Sequence, residues 1–130
     1  HGLSDYAQIV SGGLSDTAGY SAGTRALELS PTALCVANDI GAMGAIAAVE
    51  EAGLDVPGDV SVIGYDGIRL AGLRSVNLTT VAQPLGELGR LAAQRLLERL
   101  EDPTRDAQHD QVASKLIVRG TTGPVGSTTP

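Results

Sequence analysis

The sequence predicts an α/β fold, a parallel sheet flanked by helices, on three observations. Short β-branched apolar runs alternate with longer stretches of helix-forming residues. Pro, Gly, Asn and Asp punctuate the junctions, as at Pro57 and Gly58 and again at Asp66 and Gly67. With 130 residues, 42% of them hydrophobic, the chain has the length of one domain and the material for one core. Alternation of strand and helix favours parallel pairing through right-handed crossovers.

Taken in order, Tyr6 to Val10 reads as a strand, and Ser15 or Asp16 can cap a helix running to about Leu29. Pro31 ends that helix and Thr32 to Ala37 is a second strand. Asn38 and Asp39 supply capping chemistry for a helix from Ile40 to Ala52, and Gly53 is its natural stop. Val60 to Tyr65 is short, β-branched and apolar, which predicts a buried parallel strand with Asp66 at its carboxyl end. Leu78 to Ala82 is another such strand, and Pro84 suits the first turn of the longest helix, Leu85 to about Glu101. A polar loop then leads to a last strand near Ser114 to Arg119, and the Gly, Thr and Pro tail from Gly120 is expected to fray.

Composition narrows the chemistry. A net charge of −6 argues against a nucleic-acid-binding surface, which needs clustered Lys and Arg, and Lys115 is the sole lysine. Phe and Trp are absent, so a base-stacking platform is hard to build from Tyr6, Tyr20 and Tyr65. Cys35 is the single cysteine, which suits a reducing compartment. Neither a membrane span nor a signal peptide is expected. No cofactor is expected, nor a metal, since His1 is terminal and His109 lies in a polar loop. No catalytic residue is assigned: a G-x-S-x-G elbow and a Walker lysine are both missing.

The residues that remain gather at strand ends. In open α/β sheets ligands bind outside the carboxyl ends of the strands, so Asp66 is either a loop cap or an acceptor for a ligand hydroxyl or amine. Asn38 is a helix-entry residue or a polar ligand contact, and Asp39 is read as the helix cap in preference to a ligand contact. Gln83 stands at the end of the Leu78 strand, where it can cap the helix that Pro84 begins. Gly41, Ala45, Ala48 and Ala52 form a small-residue face that suits close approach to the sheet. The stripe of Leu85, Leu88, Ala92, Leu96 and Leu100, widened by Leu91 and Leu97, expects a substantial partner surface.

Three ordered motifs, PTALCVANDIGAMGAIAAVEEAGLDVPGDVSVIGYDG, LTTVAQPLGELGRLAAQRLLERL and LIVRGTT, resemble the C-terminal part of the effector-binding core of the lactose-repressor and galactose-repressor family of bacterial transcription regulators. They cover about three quarters of the chain. The segment IVSGGLSDTAGY, Ile9 to Tyr20, matches the family's strand, ligand loop and helix start more loosely. The resemblance implies a periplasmic binding protein-like fold of type I, in which two α/β lobes close on an effector. Residues 1–119 would form part of the second lobe and residues 120–130 a tail. The first lobe and the DNA-binding head would be absent, and the helix from Leu85 to Glu101 would pack on that first lobe.

The resemblance further implies ligand contacts from Asp66, Asn38, Leu14 and Gln83. Leu14 stands where relatives often place a stacking aromatic, and Gly67 replaces a frequent second acid. The partners implied are a small-molecule effector, a sugar or nucleoside-like metabolite, and operator DNA reached only through the missing head. A cytoplasmic homodimer is implied, with Gly41, Ala45, Ala48, Ile68 and Arg74 as interface candidates. The alternatives are a periplasmic-type sugar receptor and a flavodoxin-like nucleotide-binding enzyme domain.

Overall fold

The computed structural model describes Gly2 and residues 6–125. His1 and residues 126–130 of the expected tail lie outside the described residues. Helix α1 (Asp16–Leu27) is followed by strand β1 (Ala33–Cys35), helix α2 (Asp39–Glu51) and strand β2 (Ser61–Asp66). A short 3-10 turn (Arg69–Gly72) precedes strand β3 (Thr79–Ala82), helix α3 (Leu85–Glu101) and strand β4 (Lys115–Ile117). The sheet runs β1-β2-β3-β4. Its first three strands are parallel, as the alternation of strand and helix predicts, and β4 joins antiparallel to β3, which makes the sheet mixed.

Local chemistry explains the helix bounds. Ser15 caps α1 by accepting from Ala18 N–H, and Asn38 caps α2 by accepting from Gly41 N–H at 2.9 Å. After α2, Gly53 has a φ of +77°, the left-handed turn that glycine reaches without cost. Pro84 stands at the cap position of α3, so neither it nor Gln83 offers a side-chain cap there.

The small-residue face of α2 meets α1, a correction to the expected contact with the sheet. A Cβ on Gly19 would strike the Gly41 carbonyl, one on Gly44 would strike the Asp16 carbonyl, and one on Gly23 would crowd Ala45 and Ala48. Missing side chains thus let two helix backbones approach closely. This contact also buries Gly41, Ala45 and Ala48 inside the chain, so they present no surface to a second copy and drop out as interface candidates. Ala52 is exposed.

Behind this helix pair, Ala42 from α2 meets Val62, Ala71 and Leu78 in a fully buried cluster flanked by Leu34, Val36, Ile46, Val56, Ile68 and Val76. Burying the Val62 and Leu78 side chains contributes about 1.5 to 3 kcal/mol each, and the two alanine methyl groups less. On β2, Val62 and Gly64 are buried while Ser61 and Ile63 are half-buried and Tyr65 is exposed. The strand expected to be covered on both faces is therefore covered on one.

Two further expectations fail for reasons of long-range pairing. Residues 6–10 form no strand, because no strand lies beside them to share a hydrogen-bond ladder, and Ile9 is 99% exposed. The tail does not fray at Gly120. Val62 N–H donates to the Thr121 carbonyl, and the Thr121 hydroxyl donates to the Val62 carbonyl at 2.7 Å while accepting from Thr79 N–H. The boundary drawn after Arg119 is thus misplaced, since Thr121 is part of the core's polar seam.

Helix α3 stands apart. None of its residues is buried, and Leu85, Leu96, Leu97 and Leu100 are each more than 60% exposed. Its far end is tied to the following loop by Arg95, which grips Asp110 through two bonds of 2.7 and 2.8 Å and Glu98 at 2.9 Å.

Candidate functional site

Three parallel strands end on one side of the sheet, and each hands over to a polar residue. Strand β1 leads to Asn38, β2 closes on Asp66 and β3 leads to Gln83. Loop residue Leu14, before α1, joins them from a fourth direction because its carbonyl accepts from Asn38 Nδ2 at 2.8 Å. All four sequence-predicted ligand residues therefore lie at the carboxyl edge of the sheet.

Their geometry differs in detail from the expectation. Asp66 is bonded to Gln83: Nε2 of Gln83 donates to Asp66 Oδ1 at 2.7 Å, and its backbone N–H donates to the Asp66 carbonyl at 3.1 Å. Asn38 spends its amide on Gly41 and Leu14, so helix capping and loop anchoring are its structural duties. Leu14 is 68% exposed and offers an aliphatic surface beside these polar groups. Asp66 Oδ2 has no hydrogen-bond partner among the described residues.

The backbone at Asp66 is unusual for a non-glycine residue, with a φ of +115°. Gly67 follows at +74°, its Cα against Ala82, where a Cβ would lie 2.5 Å from the Ala82 side chain. Such a conformation costs about 1 to 3 kcal/mol and persists where surrounding bonds over-determine it. Here the clasp to Gln83 on one side and the Ile68 amide on the other provide that constraint.

Sequence reasoning misplaced Asp39. It is neither the helix cap nor an open ligand contact: it is fully buried, and its Oδ1 accepts from the Thr80 hydroxyl at 2.6 Å while Oδ2 accepts from Ile68 N–H at 2.9 Å. The available signal was Thr80 itself, a hydroxyl on the inward face of an apolar strand that needs a polar partner.

Other candidates lie elsewhere. Ile68 is half-buried against the core cluster, and Arg74 is exposed at a cavity of about 400 Å³ between α2 and the loop before β3. That cavity, lined by Met43, Ile46, Glu50 and Asn77 among others, is away from the strand ends that gather Asn38, Asp66 and Gln83. His109 is exposed, and among the described residues no three His, Cys, Asp or Glu side chains gather as a metal site. No described helix is long and apolar enough to cross a membrane.

Residues 1–122 match the model of the periplasmic binding protein-like domain. The chain belongs to this family. As a periplasmic binding protein-like domain it is 43% identical over 113 residues to the HTH-type transcriptional repressor PurR of Proteus mirabilis (strain HI4320), covering 85% of this chain and 33% of the relative. The chain thus spans about a third of the length of the curated relatives it matches. Among solved structures, a LacI transcriptional regulator from Rhodococcus species superposes with a TM-score of 0.89 at 37% identity, over 97% of this chain and 47% of that one. A LacI family transcriptional regulator from Enterococcus faecalis V583, solved with bound ribose, gives 0.82 at 38% identity, over 90% and 44% of the two chains. Within its family, the domain is a stretch of the effector-binding core found in regulators of the lactose-repressor type.

Proposed function

We propose that this domain senses a small polar metabolite, of the sugar or nucleoside-like class, for a transcription regulator of the lactose-repressor type. The observation that carries this reading is the convergence of Leu14, Asn38, Asp66 and Gln83 at the carboxyl ends of three parallel strands. Asp66 Oδ2 accepts a ligand hydroxyl, the spare hydrogens and lone pairs of Asn38 and Gln83 serve neighbouring polar groups, and Leu14 covers an apolar edge. The bound ribose of the Enterococcus faecalis relative supports a sugar. An aliphatic Leu14 favours a compact polyol over a flat ring that needs stacking.

These residues form one wall. The first lobe of the intact regulator supplies the other, and the leucine face of α3 packs on that lobe, which accounts for a 17-residue helix with no buried residue here. Effector binding favours one lobe arrangement over another, and that differential affinity reorients DNA-binding heads in a cytoplasmic homodimer. Arg74 and the outer face of α2 at the 400 Å³ cavity form part of the dimer contact.

The test is a thermal-shift screen of sugars, nucleosides and related metabolites against the full-length regulator. A ligand at a hundred times its Kd stabilises by about 2.7 kcal/mol and raises Tm. The reading fails if no member of these classes raises Tm, or if Asp66→Ala leaves the largest shift intact.

A further inference from the structure

We infer that Asp39 is the positioning residue of this site, the single side chain that sets the Asp66 turn against α2 and β3. The inference rests on the effector reading above and deepens it. Asp39 occupies the first turn of α2, next to Asn38. Its two carboxylate oxygens reach different elements: Oδ2 takes the Ile68 amide, two residues beyond Asp66, and Oδ1 takes the Thr80 hydroxyl, three residues before Gln83. The three residues that face a ligand from three strand ends are therefore each within three positions of one group bonded to, or belonging to, Asp39. No other described side chain bridges all three elements.

Burial makes this arrangement stiff. Asp39 and Thr80 are both fully buried, so neither can exchange its partner for water. Gly64 is shaped to the same group, because a Cβ there would run into Asp39 Oδ1. The Asp66 turn, with φ of +115° and +74° at consecutive residues, is held from beneath by the Ile68 bond and from the side by Gln83. Without the carboxylate the turn loses its lower tie and relaxes toward ordinary backbone angles, carrying the Asp66 side chain away from Asn38.

Amide hydrogen exchange by NMR on the 130-residue chain tests this without any ligand. In Asp39→Ala the Ile68 amide should exchange at least tenfold faster relative to Val62, whose N–H is bonded to Thr121 in the core seam. The side-chain amide resonances of Asn38 and Gln83 should move. Asp39→Asn, which keeps the shape and one acceptor, should restore most of the Ile68 protection. Val49→Ala, a core truncation that leaves the Asp39 bonds and the Val62 reference in place, should speed all protected amides together and leave the ratio unchanged. Should Asp39→Ala not fold, Thr80→Val removes one of the two partners and should show the same local pattern at smaller amplitude. Asp39 has no positioning role if its folded variants raise Ile68 exchange only in step with Val62. A failed metabolite screen would instead count against the effector reading, because no ligand enters this measurement.

Discussion

Gln83 holds Asp66 by both its side chain and its backbone, with Nε2 donating to Oδ1 at 2.7 Å and N–H donating to the carbonyl at 3.1 Å. The ends of β2 and β3 are thereby joined beyond the last register pair, Asp66 with Ala82. One carboxylate oxygen is committed to the fold, and the other has no hydrogen-bond partner among the described residues.

From the proposed ligand contact of the free oxygen, Asp66→Ala in the full-length protein should weaken the effector response by about 1.5 to 3 kcal/mol, the range for a hydrogen bond to a charged group. Gln83→Ala should cost about 1 kcal/mol of stability in the isolated chain. Dose-response curves of a reporter and urea unfolding check the two halves. An unchanged response in Asp66→Ala would remove Asp66 from the site.

The contact between α1 and α2 makes a sharp contrast among glycines. Gly44→Ala places a methyl group on the Asp16 carbonyl and should destabilise by about 1 to 3 kcal/mol or more. Gly89→Ala on α3 meets nothing within 4 Å and should stabilise by about 0.5 to 1 kcal/mol through helix propensity. Melting curves of the two variants should shift in opposite directions.

Helix α3 provides a test of its independence. Leu96→Gln combined with Leu100→Gln should change the stability of this chain by no more than about 0.5 kcal/mol, the usual bound for surface substitutions, while lowering apolar-dye fluorescence. A loss of several kcal/mol would show that these leucines are buried in a self-associated form. On the proposed packing of α3 against a first lobe, the same pair should impair lobe assembly in the full-length protein, measured by limited proteolysis.

The loop after α3 should respond to acid. Hydrogen bonding to Arg95 holds the Asp110 carboxyl below its ordinary value of 3.8, and bonds from Gln94 and then Arg95 hold Glu98 below 4.5. Both groups thus favour ionisation more strongly when folded. Their contribution is fully present above the ordinary values and is lost as pH falls through the lower folded ones. As pH falls below these ordinary values and through the lower folded ones, the clasp between residues 104–110 and α3 should open ahead of the sheet, visible as faster exchange of loop amides relative to those of the sheet.

Much of this architecture was legible because its signals are local. Asn38 and Gly53 bracket α2, Pro31 separates α1 from β1, and the Val60 run ends at Asp66 as its β-branched character ends. The placement of the candidate ligand residues at strand ends followed from the strand bounds and the family likeness together. What escaped the sequence depends on distant partners. Asp39 looks like a cap because its two hydrogen-bond partners lie 29 and 41 residues away. Residues 6–10 have strand composition and no strand beside them. The Gly, Thr and Pro composition after Arg119 signals a loose end, whereas Thr121 bonds to a residue 59 positions earlier.

That last bond has a kinetic consequence. Joining Thr121 to Val62 closes a loop of about 59 residues, with an entropic cost of roughly 3.6 kcal/mol before any constant term. The contact of α1 with α2 and the pairing of β1 with β2 span shorter stretches and carry smaller closure costs. The seam between β2, β3 and the RGTT segment should therefore zip last in refolding, so that pulse-labelled amides of α1 and α2 gain protection before Val62. Until it does, the amino end of β2 stays an unsatisfied edge, and the half-formed sheet is open to pairing with another chain.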